Sequence, residues 1–177
     1  MDILIRQELT DDYTKTEKVV ERAFKNEEYS DKKEHFLVNR LRRSDAFIPE
    51  LSLVAVNQDN DIIGHILLTK IQVKDDENTA DSLALAPVSV APEYQNKGVG
   101  SKLIRAALKK AKEIGYDSII LLGHKDYYPK FGFKPASLWN IKAPFDVPDD
   151  VFMALELTEG SLQNTQGTVH YSKAFFE

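Results

Sequence analysis

Gln95, Gly98 and Gly100 spell Q-x-x-G-x-G at the junction between an apolar run and a strongly periodic segment. Such a junction is suited to holding an anion. The first N–H groups of a helix lack intrahelical partners and point outward, and the helix dipole adds partial positive charge there. Glycines let the backbone approach phosphate oxygens with no Cβ in the way. Lys97 and Lys102 stand nearby as further positive charge. The spacing is not the three-glycine dinucleotide fingerprint, and no G-K-[ST] follows as a P-loop requires. Taken alone, the two glycines serve a tight turn equally well.

Other residue types narrow the chemistry. The chain has no cysteine, which removes disulfides, a thiol nucleophile and zinc–thiolate sites. His35, His65, His124 and His170 are widely separated and lack metal-ligand spacing. G-x-S-x-G is absent. Tyr127, Tyr128, Phe131 and Phe133 form an aromatic run that reads as core packing on composition alone. The acidic stretch at 27–31, with Glu27, Glu28 and Asp31, suits either a solvated loop or attraction of a cationic amine. Trp139 and Phe145 read as packing residues first, and as pocket or subunit contacts second.

These residues need elements to position them. The 177 residues, 42% hydrophobic and 29% charged, fit one soluble domain able to bury a core without staples. The formal charge of −5 argues against nonspecific nucleic-acid binding. An acidic N-terminus and short apolar runs fit neither a signal peptide nor a membrane span, which predicts a cytoplasmic protein.

A first strand is expected over 2–9. Thr10, Asp11 and Asp12 then cap a helix carrying Val19, Val20, Ala23 and Phe24. A second helix is expected over 32–43, with Phe36, Leu37 and Leu41 on its apolar face. Residues 51–56 and 62–71 flank the turn chemistry of 57–61 and read as a hairpin. A polar loop covers 74–81, and a strand covers 83–90. Val99, Leu103, Ile104, Ala107, Leu108, Ala111 and Ile114 fall at helical steps, with Gly115 as the left-handed cap. Residues 118–122 read as a buried strand, 126–131 as a short helix stopped by Gly132, and 151–157 and 168–171 as strands. The order predicts an α/β (α+β) fold, a mixed sheet with helices on its faces. An exposed strand edge in the tail leaves a homodimer open.

The ordered motifs resemble the GNAT superfamily of N-acetyltransferases. The matching residues are the strand 85–90, V-x-P-E-Y at Val90 to Tyr94, Q-N-K-G-V-G at 95–100, the helix 99–114 and the strand 118–122. Y-x-x-x-G-F follows at 128–133, within a G-H-x-D-Y-Y-x-x-F-G-F variant that is similar to one bacterial-type subgroup. Gly64-His65 on the third strand is also similar. The resemblance is specific over 82–136 and looser over 1–75.

It implies a mostly antiparallel sheet with two splayed parallel strands, 83–90 and 118–122, and helices on both faces. It also implies a single N-acetyltransferase-like domain over 1–177, with 137–177 as its strand-rich extension. Acetyl-CoA is the implied cosubstrate. Val88, Ser89 and Val90 would contact its pantetheine arm. Gln95, Asn96, Lys97, Gly98, Val99, Gly100 and Ser101 would cradle its pyrophosphate.

Tyr128 is carried over as the catalytic residue, a hydrogen-bond donor to the leaving sulfur. Tyr127 is then the packing neighbour. The implied reaction is direct acetyl transfer to a primary amine on a small molecule or peptide. Transfer of another acyl group, a hydroxyl acceptor, or a non-catalytic CoA-binding sensor or partner module are the alternatives. Many relatives carry a glutamate base on the strand matching 83–90. This strand has none, which leaves Ser89 or His65 acting through a water as candidates.

Overall fold

The computed structural model describes residues 2–28 and 30–177; Tyr29, in the acidic stretch, lies outside them. A short strand β1 (Leu4–Gln7) leads through a 3-10 turn at Thr10–Asp12 into helix α1 (Tyr13–Phe24). The Asp12 carboxylate closes this turn. It accepts the Leu9 N–H at 2.8 Å and the Arg6 guanidinium at 2.7 Å. Helix α2 (Glu34–Arg42) buries Val38 and Leu41, whereas Phe36, expected on the apolar face, is exposed.

Strands β2 (Phe47–Val56), β3 (Ile62–Lys74) and β4 (Thr79–Val90) form an antiparallel meander. The Asn57 side-chain oxygen accepts the N–H groups of Asp59 and Asp61, which sets the first turn. The expected loop at 74–81 is much shorter. Both strands run into it, and the Asp75 carboxylate accepts the N–H groups of Glu77 and Asn78. Helix α3 (Val99–Glu113) buries Val99, Leu103, Ile104, Ala107 and Ala111 on one stripe, the amphipathic pattern its sequence encodes.

Strand β5 (Ser118–Leu122) is parallel to β4, and a 3-10 turn at Tyr128–Phe131 follows it. The tail adds β6 (Lys134–Pro135), β7 (Ile141–Lys142), β8 (Phe152–Glu156) and β9 (Gly167–His170). The sheet order is β1-β2-β3-β4-β5-β8-β6, with β9 pairing β3 and β7. Among the described residues only β4–β5 and β7–β9 pair in parallel, so the sheet is mixed and mostly antiparallel as expected.

Its two faces carry different cores. Leu83, Leu85, Ile119 and Leu121 pack under α3. Ala84 and Ile120 face the other way, toward Ile71, Phe152 and Val169, while α1 and α2 cover Val54 and Leu67 on β2 and β3.

The β4–β5 relationship creates the site. They share a single register pair, Ala84 with Ile120. Beyond it, β4 is irregular on its β3 side: Leu85 pairs Leu68 and Val88 pairs Ile66, so Ala86 and Pro87 together oppose one residue. A bulge bends its strand, and proline offers no N–H to a ladder. The strands therefore part at residue 86, which leaves a gap open toward their C-terminal ends.

Candidate active site

On the α3 side of this gap lies a cavity of about 550 Å³, lined by Val88 and Val90 of β4, the loop at 94–96, and Gly98 to Ser101. Gly98 holds φ at +83° as the N-cap of α3, a conformation that side chains disfavour. The cap turns the first amides of α3 toward the cavity. The Gln95 amide donates to the Val90 carbonyl at 3.0 Å, so this glutamine ties the end of β4 to the cradle loop.

One expected pantetheine contact and one expected cradle residue hold their side chains outside the cavity. Ser89 alternates away from Val88 and Val90 and is buried opposite His65 on the other face. Only its backbone can serve a ligand in this cavity. Lys97 is exposed and stands over the Tyr94 ring at 5.8 Å, outside the cavity lining. Lys102 is exposed as well.

The structure adds residues that the sequence reading missed. Lys130 lines the cavity with its ammonium 3.9 Å from the centre of the Tyr127 ring. Tyr127, expected only to pack, also lines it, with its hydroxyl 3.3 Å from the Ser101 Oγ. Both lie in the Y-Y-P-K-F-G-F run; a lysine two residues beyond the paired tyrosines was the available signal. Glu27 lines this same cavity, so the acidic stretch meets the anion-cradle side of the molecule.

Tyr128 is buried at the open end of the gap. Its ring lies over Gly123, one residue past β5, and meets Tyr127 and Phe133 edge-on at 5.1 and 5.9 Å. Burial first, and the neighbouring Tyr127 second, push its pKa up to about 12. The phenol therefore stays protonated across the physiological range, a neutral group with a hydrogen to donate.

His65 proves unsuited to be a base. Its Nε2 is 3.0 Å from the Ser52 Oγ, which donates at 2.7 Å to the Glu8 carboxylate. Glu8 also holds Arg42 at 2.7 Å. Burial pushes the Glu8 carboxyl up, but the facing His65, Thr16 and Arg42 outweigh it, so Glu8 ends below its usual value. Ser52 spends its hydrogen on a carboxylate that can only accept, so its oxygen takes the His65 Nε2–H. That leaves Nδ1 as a bare lone pair, with no partner among the described residues. Burial lowers the His65 pKa to about 4, so this imidazole is neutral at pH 7 and a poor proton acceptor.

A strand that diverges from its parallel neighbour, beside a helix N-terminus that offers free amides, is shared by a known enzyme family. Residues 5–133 match the acetyltransferase (GNAT) family, and the chain belongs to it. Among its relatives, the N-acetyltransferase YjhQ of Escherichia coli K12 is 37% identical over 119 residues, 67% of this chain and 65% of YjhQ. YhbS of the same strain is 26% identical over 173 residues, 98% of each chain. Two crystal structures share the fold. YhbS in complex with CoA superposes with a TM-score of 0.88 at 23% identity, over 99% of this chain and 92% of that one. A Brucella melitensis GNAT acetyltransferase in complex with acetyl-CoA gives 0.80 at 32% identity, over 98% of both chains.

Proposed function

We propose that this enzyme transfers the acetyl group of acetyl-CoA to an amine nitrogen by direct attack, with both substrates bound at once. The carrying observation is the gap between β4 and β5. It opens on one face to the amide-lined cradle, and on the other to a separate apolar cavity bordered by residues 84–86 and 120–122. Two substrates entering from opposite faces meet at the reacting carbon without an enzyme-bound intermediate. The absence of cysteine is in keeping with this route.

In this reading the amides of residues 98–101, with Lys130 and the Tyr127 hydroxyl, hold the pyrophosphate. The backbone of 88–90 lies along the pantetheine arm. The Tyr128 hydroxyl donates to the sulfur as the C–S bond breaks, stabilising charge that develops only in the transition state. The tail, 137–177, belongs to the same catalytic domain, because its β8 extends the sheet from β5 and its aromatics wall the apolar cavity.

The test is calorimetry with CoA, together with thiol release from acetyl-CoA across a panel of amines. CoA binding with amine-dependent thiol release supports the reading. Binding without release on any amine would point instead to a non-catalytic CoA-binding module.

A further inference from the structure

We infer that the acceptor is a weakly basic amine, uncharged at neutral pH, carried on a small apolar body the size of one aromatic ring. This rests on the acetyl transfer proposed above and names its substrate class.

The evidence is the cavity of about 220 Å³ on the sheet face opposite α3. The last paired stretch of β4 and β5 and the start of the gap border it, at 84–86 and 120–122. It thus lies against the point where the strands part, which is where the transfer proposed above presents the acetyl group. Leu37 of α2 and four tail aromatics, Phe145, Tyr171, Phe175 and Phe176, complete its wall. The aromatics pack on one another: Phe145 stacks on Tyr171 at 6.2 Å with 17° between planes, and Phe175 meets Tyr171 edge-on at 5.1 Å. The rim is apolar as well. Leu122, Phe145 and Phe176 are 44%, 40% and 66% exposed, and clustered exposed apolar side chains mark a binding surface.

The wall is as informative for what it lacks. Among the described residues lining it, Tyr171 alone carries a polar side chain, and burial pushes its pKa up to about 12. It therefore stays neutral at pH 7. No carboxylate or imidazole of the described residues lines the cavity. Glu27 faces the cofactor side, and neutral His65 lies buried beside Ser52 and Glu8. An alkylammonium entering this space would lose hydration with no counter-charge to replace it. Its proton would also have to leave first, since only roughly one alkylamine in a thousand is neutral at pH 7. Nothing in the wall takes that proton.

An arylamine avoids both costs, because its lone pair is shared with the ring and it is neutral at pH 7. Its nitrogen lone pair attacks the thioester carbonyl, forming C–N as C–S breaks. The sulfur leaves with the bonding pair. The proton shed by nitrogen ends on that sulfur as the free thiol, so the enzyme removes no net proton. The size also fits, since an apolar cavity of about 150 Å³ lined by Leu, Ile and Phe takes benzene.

The experiment compares thiol release from acetyl-CoA with p-toluidine and with spermidine, on the full chain, alongside calorimetry with CoA. The expected result is a kcat/KM for p-toluidine at least a hundredfold above that for spermidine. It should be level between pH 6 and 9, whereas the spermidine rate should climb nearly tenfold per pH unit. Phe176→Ala and Leu122→Asp, both at the exposed rim, should each raise the KM for p-toluidine several-fold and leave the affinity for CoA unchanged.

Failure to bind CoA, or binding with no thiol release on any amine, overturns the transfer reading itself. Turnover of spermidine equal to or above that of p-toluidine overturns the acceptor inference alone. So does an unaltered KM in both variants. Faster transfer from hexanoyl-CoA than from acetyl-CoA to spermidine assigns the cavity to the acyl chain, and equally overturns it.

Discussion

The ring of Tyr128 lies so close over Gly123 that a Cβ on that residue would collide with its Cδ2 and Cε2 atoms. The bare backbone after β5 is what allows the phenol to occupy the end of the gap. Gly123→Ala should therefore push the ring aside. A forced shift in a packed core costs typically 1–3 kcal/mol, which denaturant unfolding would read. The same substitution should cut kcat at saturating acetyl-CoA. In a Tyr128→Phe background it should cost little further activity, because the hydroxyl it misplaces is already gone. Full additivity of the two losses would show that Gly123 acts elsewhere.

Tyr128→Phe removes one hydroxyl and keeps the ring against Phe133. If the phenol donates to the departing sulfur, kcat should fall about 10- to 100-fold, with the KM for acetyl-CoA nearly unchanged. Because burial holds this pKa at about 12, the wild-type rate should show no inflection from Tyr128 below pH 10. Stability follows the same sign. A folded pKa above the unfolded value of about 10 keeps the full contribution below pH 10 and loses it as pH rises toward 12. Alkaline unfolding of the wild type should therefore begin earlier than that of the Phe variant.

Helix α3 was readable because its seven apolar positions recur at a single period, and its glycine-rich start was readable because few backbones tolerate that shape. The hairpin turn at 57–61 was legible for a similar local reason. Phe36 was misplaced because α2 is only Glu34–Arg42, and its buried stripe, set by packing against Leu67 and Val20, runs through Val38 and Leu41. At Ser89 the motif names a stretch of backbone, whereas strand alternation decides which face each side chain serves, so its side chain turns away from the cavity that Val88 and Val90 line. The apolar cavity had no local signature at all. Its wall joins Leu37, residues 84–86, residues 120–122 and Phe145 to Phe176, positions that only the completed sheet brings together.

Lys130 offers a separate check on the cradle. Its ammonium stands over Tyr127 beside the amides of α3, and α3 itself presents no lysine to the cavity lining. Lys130→Ala should raise the KM for acetyl-CoA about three- to tenfold, and added salt should narrow the difference, since exposed charges are screened at about 10 Å in 0.1 M salt. Tyr127→Phe, which loses the hydroxyl at Ser101, should raise KM less and without the salt dependence. Unchanged KM in both variants would move the anion site away from the start of α3.

His65 makes acid stability a readable property of the fold. Its Nε2–H is committed to Ser52, and its bare Nδ1 has no acceptor to offer a second proton. Burial lowers the pKa to about 4, against the opposing pull of Glu8 at 3.9 Å and with help from Arg42. In the unfolded chain the same group titrates near 6.5. Above pH 6.5 both states are neutral and stability is intact. As pH falls from 6.5 toward 4 only the unfolded state takes the proton, so stability drains away. By pH 5, before Glu8 begins to release Arg42, the loss from His65 alone should reach about 2 kcal/mol. Urea unfolding at pH 7.5 and pH 5 measures it. His65→Gln retains an N–H donor for Ser52 but cannot titrate, so its stability should change by less than half as much across the same interval. An equal loss in wild type and variant would assign the acid sensitivity to the carboxylates rather than to this imidazole.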